Sequence, residues 1–176
     1  MKKLLVFVLA LSFLYTKAQL AAKPDSLLFP VVETQGNIMA KLLLQKDYKS
    51  FVKYTYPPIV KMSGGETKLV ALIQKSFKDM SDQGFTIKSI NVSKPTSIIH
   101  SAKKLQCVVT QTLEMITPKG RMVTIAYLIG NSDDNGKSWT FIDTHGADLT
   151  TLRKSIPGLS TQLVIPEAQE PVMYEK

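Results

Sequence analysis

The hydrophobic period of this chain changes once, near Gly84, and that change narrows the folds open to it. Upstream, apolar residues recur at three- and four-residue spacing. Downstream they alternate or run in short β-branched blocks. Ile38, Met39, Leu42 and Leu43 predict a first helix beginning near Asn37. Asp47 is placed to cap a second, short one carrying Tyr48, Phe51 and Val52, which Pro57-Pro58 should end. Ser63 followed by Glu66 fits a capping box ahead of a third helix, whose stripe is Leu69, Ile73, Phe77 and Met80 with Leu72 beside it. Gly84 then suits a left-handed stop.

The second half reads as strands at Phe85–Lys94, Lys104–Thr117, Arg121–Ile129 and Ser138–Thr144. Pro118-Lys119-Gly120 and Asn135-Gly136 supply the hairpin signals between them. Asp148 can cap a last helix with Leu149, Leu152 and Ile156, closed by Pro157-Gly158. Helices first and antiparallel hairpins after predict an α+β domain, with the N-terminal helices packed on one face of a curved four-stranded meander. The domain is expected over residues 37–165. Residues 19–36, with Pro24, Pro30 and Gly36 as breakers, are expected to form a loop-like extension, and residues 166–176 a polar tail.

Residues 1–18 carry an address. Lys2 and Lys3 precede the apolar run Leu4–Leu14, and small residues follow as far as Ala18. This is the layout of a cleaved signal peptide, with the cut expected between Ala18 and Gln19. The run is too short for a bilayer span, which needs about 20 residues. A secreted or periplasmic protein is predicted, with no membrane attachment after cleavage. The only cysteine is Cys107, so neither an internal disulfide nor a lipid-bearing cysteine beside the leader is available. Its setting, Leu105-Gln106-Cys107-Val108-Val109, reads as a small buried hydrophobe.

The formal charge of +8 would suit a nucleic-acid partner, but three of those charges, Lys2, Lys3 and Lys17, fall in the leader. The only arginines are Arg121 and Arg153, and the lysines are scattered rather than clustered. Nucleic-acid recognition leans on arginine forks and focused charge, so no nucleic acid is expected.

Lys46-Asp47-Tyr48 in the second helix, Gly64-Gly65 before the third, and Gly136-Lys137-Ser138-Trp139-Thr140-Phe141-Ile142-Asp143 in the last strand complete a recognisable layout. Over about residues 37–156 the chain resembles the nuclear-transport-factor-like superfamily, which has a cone-shaped, cystatin-like fold. More narrowly, it is similar to small exported proteins of Bacteroidetes-type bacteria. The resemblance implies a cone cavity between helices and sheet. Enzymes of that superfamily, of the isomerase, dehydratase and cyclase type, place acid–base pairs there.

Ser132-Asp133-Asp134-Asn135-Gly136-Lys137-Ser138-Trp139 matches S-x-D-x-G-x-x-W, and looks like the Asp-box hairpin of sialidase propellers. One copy in so short a domain excludes a propeller. Ser132, Asp134, Gly136 and Trp139 are therefore read as a structural turn. Asn131, Asp133 and Asn135 have part of a calcium-loop spacing, but Ile142 stands where the bidentate glutamate is required. The two histidines, His100 and His145, lie far apart in sequence. No metal site is expected, and with no P-loop, nucleophile elbow or dinucleotide fingerprint no cofactor is expected either.

Trp139, Phe141, Asp143 and His145 share strand parity. If that side lines a cavity, Trp139, Phe141 and Asp143, with Tyr127 on the neighbouring strand, form a ligand site. Asp143 with His145 or Tyr127 is then an acid–base pair. If it does not, Trp139 and Phe141 are core, and Asp143 and His145 cap a strand end in solvent. The expected function is non-catalytic, either binding a small apolar ligand in the cone or associating, for example as a homodimer, through the sheet face. The alternative is an acid–base isomerase or dehydratase.

Overall fold

A computed structural model of the chain describes residues 24–101, 104–156 and 158–175. The leader and its cleavage site lie outside the described residues, as does Pro157. Among the described residues the architecture is α+β: five α-helices and an antiparallel six-stranded sheet.

Helix starts at the second proline rather than after it. A single 3-10 turn at Asp25–Leu27 leads into α1, Phe29–Leu44, with Pro30 in its first turn. A proline there sacrifices no intrahelical bond, because the first amides have no partner to lose. Gly36, expected to be a breaker, is a buried contact point inside α1. A Cβ at Gly36 would stand 2.6 Å from a methyl of Val92, so only glycine lets the helix lie this close to the sheet. The loop-like reading of residues 25–36 is thus corrected, and the helix begins eight residues before Asn37.

Asp47 caps α2, Tyr48–Val52, by accepting from the Ser50 amide at 3.1 Å. Pro57 and Pro58 then open a further short helix, α3, Pro57–Met62, for the same first-turn reason as Pro30. The capping box expected at Ser63 does not form. Gly64 and Gly65 adopt φ of +87° and +99°, which separates Ser63 from α4, Glu66–Asp82. The Ser63 hydroxyl instead donates backward to the Ile59 carbonyl at 2.9 Å. The expected apolar stripe of α4 does turn inward, with Leu69, Ile73, Phe77 and Met80 half-buried and Leu72 exposed. It packs on α2 and α3, Phe77 lying 5.5 Å from the Tyr48 ring, and stands off from the sheet instead of resting on it.

The strands are β1 (Thr86–Val92), β2 (Ile99–Ser101), β3 (Lys104–Thr117), β4 (Gly120–Ser132), β5 (Thr140–Asp143) and β6 (Val172–Glu175). A two-residue turn at Pro118-Lys119 joins β3 to β4 and sets Thr117 opposite Gly120. The sheet is four strands wide, as expected, but each margin is built from two pieces. β1 and β2 lie end to end along β3, and β5 and β6 along β4. β6 arises within the segment expected to be only a polar tail, and its side chains are all exposed.

Both faces of the sheet are covered. On one, Cys107, Val109, Leu128, Trp139 and Phe141 meet Val32, Met39 and Ala40 of α1. On the other, Ile129 and Ile142 are buried under Tyr56 and under Ile156, Leu159 and Leu163, which follow α5, Leu149–Ser155. The one-face arrangement is therefore corrected: the C-terminal helix and the strap after it take the second face. Gln106, wholly buried, pins the strap. Its Nε2 donates to Asn131 Oδ1 at 2.7 Å and to the Gly158 carbonyl at 3.1 Å, while its Oε1 accepts from the Ser160 amide at 2.8 Å. An amide buried this deeply must be satisfied, and here the partners come from the chain that has to be held down.

Candidate functional site

The turn between β4 and β5 is a self-bonded unit. Asp134 Oδ1 accepts from the Lys137 amide at 3.0 Å, the Ser138 amide at 2.9 Å and the Ser132 hydroxyl at 2.9 Å. Its Oδ2 accepts from the Ser138 hydroxyl at 2.6 Å. Burial by itself raises the Asp134 carboxyl, but the donors from Ser138, Ser132 and Lys137 outweigh it, and the group lies below its ordinary value. Gly136, at φ +82°, donates to Ser132 Oγ at 2.9 Å, and the Trp139 ring tucks beneath to reach the Gly136 carbonyl at 3.2 Å. Gln35 of α1 clamps the turn from outside. It donates to the Lys137 carbonyl at 2.8 Å and accepts from the Trp139 amide at 2.8 Å. Both carboxylate oxygens of Asp134 are thus spent on its own loop.

The space left by the stand-off of α4 is a cavity of about 470 Å³. Its walls are apolar: Met39 and Leu43 from α1, Leu69 and Ile73 from α4, and Leu128 and Phe141 from the sheet. It continues past the β5 margin to Leu152 and Ile156. Asp143 and His145 also line it, at the solvent end, where their side chains are 41% and 84% exposed. Asp143 Oδ1 accepts from the His145 amide at 2.8 Å, closing a small turn in which His145 takes a φ of +48°. The imidazole Nδ1 lies 3.7 Å from Asp143 Oδ2.

Of the residues read as a ligand site, Phe141 and Asp143 reach this cavity. Trp139 does not line it: its ring fills the core beneath the turn, against α1. Tyr127 lies on the other face of the sheet, because the β4–β5 register sets Leu128, not Tyr127, opposite Asp143. There Tyr127 lines a separate pocket of about 290 Å³, and its hydroxyl accepts from Gln169 Nε2 at 3.2 Å. Tyr127 and Asp143 are therefore not brought together as a pair.

Several cavity residues were not anticipated as site residues, Gln111 the most polar of them. Gln111 points into the same space from β3, between Val92 and Ala126 in the register. The sequence held a signal for it. Leu105, Cys107, Val109, Gln111, Leu113 and Met115 share a face, and Gln111 is the only strongly polar member. Cys107 on that face is inert, since burial pushes its thiol up to about 12. No protein-family model matches the chain, and no curated protein matches it.

Proposed function

We propose that this chain is an exported, non-catalytic domain that binds a small apolar molecule in the cavity between α1–α4 and the sheet. The observation that carries the reading is the cavity itself, about 470 Å³ and walled by Met39, Leu43, Leu69, Ile73, Leu128 and Phe141. Pockets that bury small ligands run from about 300 to 1,000 Å³ and are mostly apolar with few polar groups. The helix-then-meander layout and the standing-off helix support the likeness to the cone-shaped superfamily. The Lys2–Ala18 pattern supports export and a mature start at Gln19.

An acid–base role for Asp143 and His145 draws support from their 3.7 Å approach at the cavity mouth. Their exposure weighs against it, because a solvated pair lacks the desolvation that tunes catalytic carboxyls. Ile116, Val172 and Tyr174, exposed on one face at the far end of the β3–β4 hairpin, favour a homodimer as the association route. Native mass spectrometry of protein purified from its own host reads bound ligand and assembly together. The decisive variant is Ile73→Trp, which fills the cavity from α4. It should abolish uptake of a neutral naphthalene dye while leaving the denaturation midpoint close to wild type. Equal dye uptake by Ile73→Trp sinks the cavity reading.

A further inference from the structure

We infer that the molecule held in this cavity is uncharged and carries a hydrogen-bonding group of the carbonyl type, read by the side-chain amide of Gln111. This rests on the binding reading above and specifies its ligand.

The two glutamines of β3 make the contrast. Gln106, on the strap face, is fully saturated by Asn131, Gly158 and Ser160. Gln111, on the cavity face, has no hydrogen-bond partner for its amide among the described residues, and its strand neighbours Val92 and Ala126 are apolar. Gln111 is half-buried and its amide is open to water, so a ligand that displaces that water must replace its hydrogen bonds or leave a polar group unpaired at a cost. Its N–H groups suit a ligand carbonyl and its oxygen a ligand hydroxyl or N–H.

Charge narrows the choice further. Neither lysine nor arginine lines the cavity among the described residues. A carboxylate or phosphate would meet no lysine or arginine in the walls, and at the mouth the exposed His145 already faces the Asp143 carboxylate at 3.7 Å. A ligand ammonium would find its counter-charge only at that solvated mouth, leaving the Gln111 wall unanswered. A neutral ligand with few polar groups suits a lining that is mostly apolar, with Gln111, Thr55, Thr144 and Ser155 as its uncharged polar members.

The test uses the mature chain and four near-isosteric probes: naphthyl methyl ketone, isopropylnaphthalene, naphthoate and naphthylmethylammonium. Affinities are read from amide and methyl chemical shifts by NMR. Wild type should bind the ketone about fivefold to tenfold more tightly than the hydrocarbon, the worth of about one hydrogen bond made in competition with cavity water. Naphthoate and the ammonium should be weaker than both. Gln111→Met, which keeps side-chain length and removes the polar atoms, should erase the ketone preference, weakening ketone binding and tightening isopropylnaphthalene binding, because no amide is then left unpaired. Probe binding without ketone preference, or tight naphthoate or ammonium binding, overturns this inference while the binding cavity stands. Failure of all four probes to bind removes the cavity reading and this inference with it.

Discussion

Replacing Gly36 by alanine sets two effects of similar size against each other. In an isolated helix the change would stabilise, by about 1 kcal/mol. Here the new Cβ meets Val92, at 2.6 Å from Cγ1, 3.0 Å from Cβ and 3.4 Å from Cγ2. Turning Val92 about χ1 moves its methyls but not its Cβ. Nor can the strand retreat freely, because Asn37 grips it from both sides. The Val92 amide donates to Asn37 Oδ1 at 3.0 Å, and Asn37 Nδ2 donates to the Val92 carbonyl at 2.8 Å. Overpacking a filled contact costs about 1–3 kcal/mol, and lifting the helix to relieve it would strain two hydrogen bonds worth about 1 kcal/mol each. The clash wins, with a net loss of about 1–2 kcal/mol. For a domain of this size that lowers Tm by about 2–8 °C. The assay is thermal and urea denaturation followed by fluorescence of Trp139, the only tryptophan and fully buried. Adding Val92→Ala should make Gly36→Ala far less harmful, a coupling of about 1 kcal/mol. A Gly36→Ala protein more stable than wild type, or strictly additive with Val92→Ala, would refute the close-approach argument.

Other outcomes follow from the same contacts. Asp134→Ala should cost about 2 kcal/mol at neutral pH, because two turn amides and two hydroxyls lose one charged acceptor that is partly open to water. The folded-state value of this carboxyl lies below the unfolded one, so its contribution is present above about pH 4 and is lost as pH falls through the folded value. The gap in urea midpoint between wild type and Asp134→Ala should accordingly narrow near pH 3; a constant gap contradicts the assignment. Cys107 should resist thiol reagents in the native protein and react only as fast as the chain opens globally, so prompt labelling would show the burial to be overstated. Mass spectrometry of exported material should give an N-terminus at Gln19, and an intact Met1 would count against the leader.

Much of the strand half was legible because its signals are local. β3 spans the expected Lys104–Thr117, and Asp148 caps α5 through the Thr151 amide at 2.9 Å. The S-x-D-x-G-x-x-W run likewise holds all the chemistry its turn requires. The helical half was less legible because proline and glycine are ambiguous without their surroundings. Pro30 and Pro57 end a helix if it precedes them and begin one if it follows. Gly36 reads as a breaker until Val92 is known to lie against it. Ser63 and Glu66 have the capping spacing, but two left-handed glycines intervene. β2 and β6 are too short to show a period and are defined by pairing with long neighbours. The site suffered most. Parity within one strand places Phe141 with Asp143, but relating Tyr127 to them needs the register between strands, where one residue decides the face. The resemblance implied a cone cavity, but its lining could not be read, since that depends on how far α4 stands from the sheet.

The divided margins of the sheet bear on how this protein behaves in crowded solution. Its two longest strands, β3 and β4, hold runs such as Val108-Val109-Thr110 and Val123-Thr124-Ile125 that would pair readily with copies of themselves. Both are flanked over most of their length by shorter strands, and, short of the strand ends, the outer side is left without a partner strand only at Cys107–Thr110 of β3 and Thr124–Tyr127 of β4. The strands that are outermost number seven residues at most, and some of their outward backbone groups are already engaged. Asn37 takes those of Val92, while the Tyr54 carbonyl and the Tyr56 amide take those of Phe141. An incoming strand therefore meets short, interrupted templates. Removing Val172–Glu175 would lengthen the bare stretch of β4, and the first symptom should be fibrillar association of still-folded molecules, well before any loss of thermal stability.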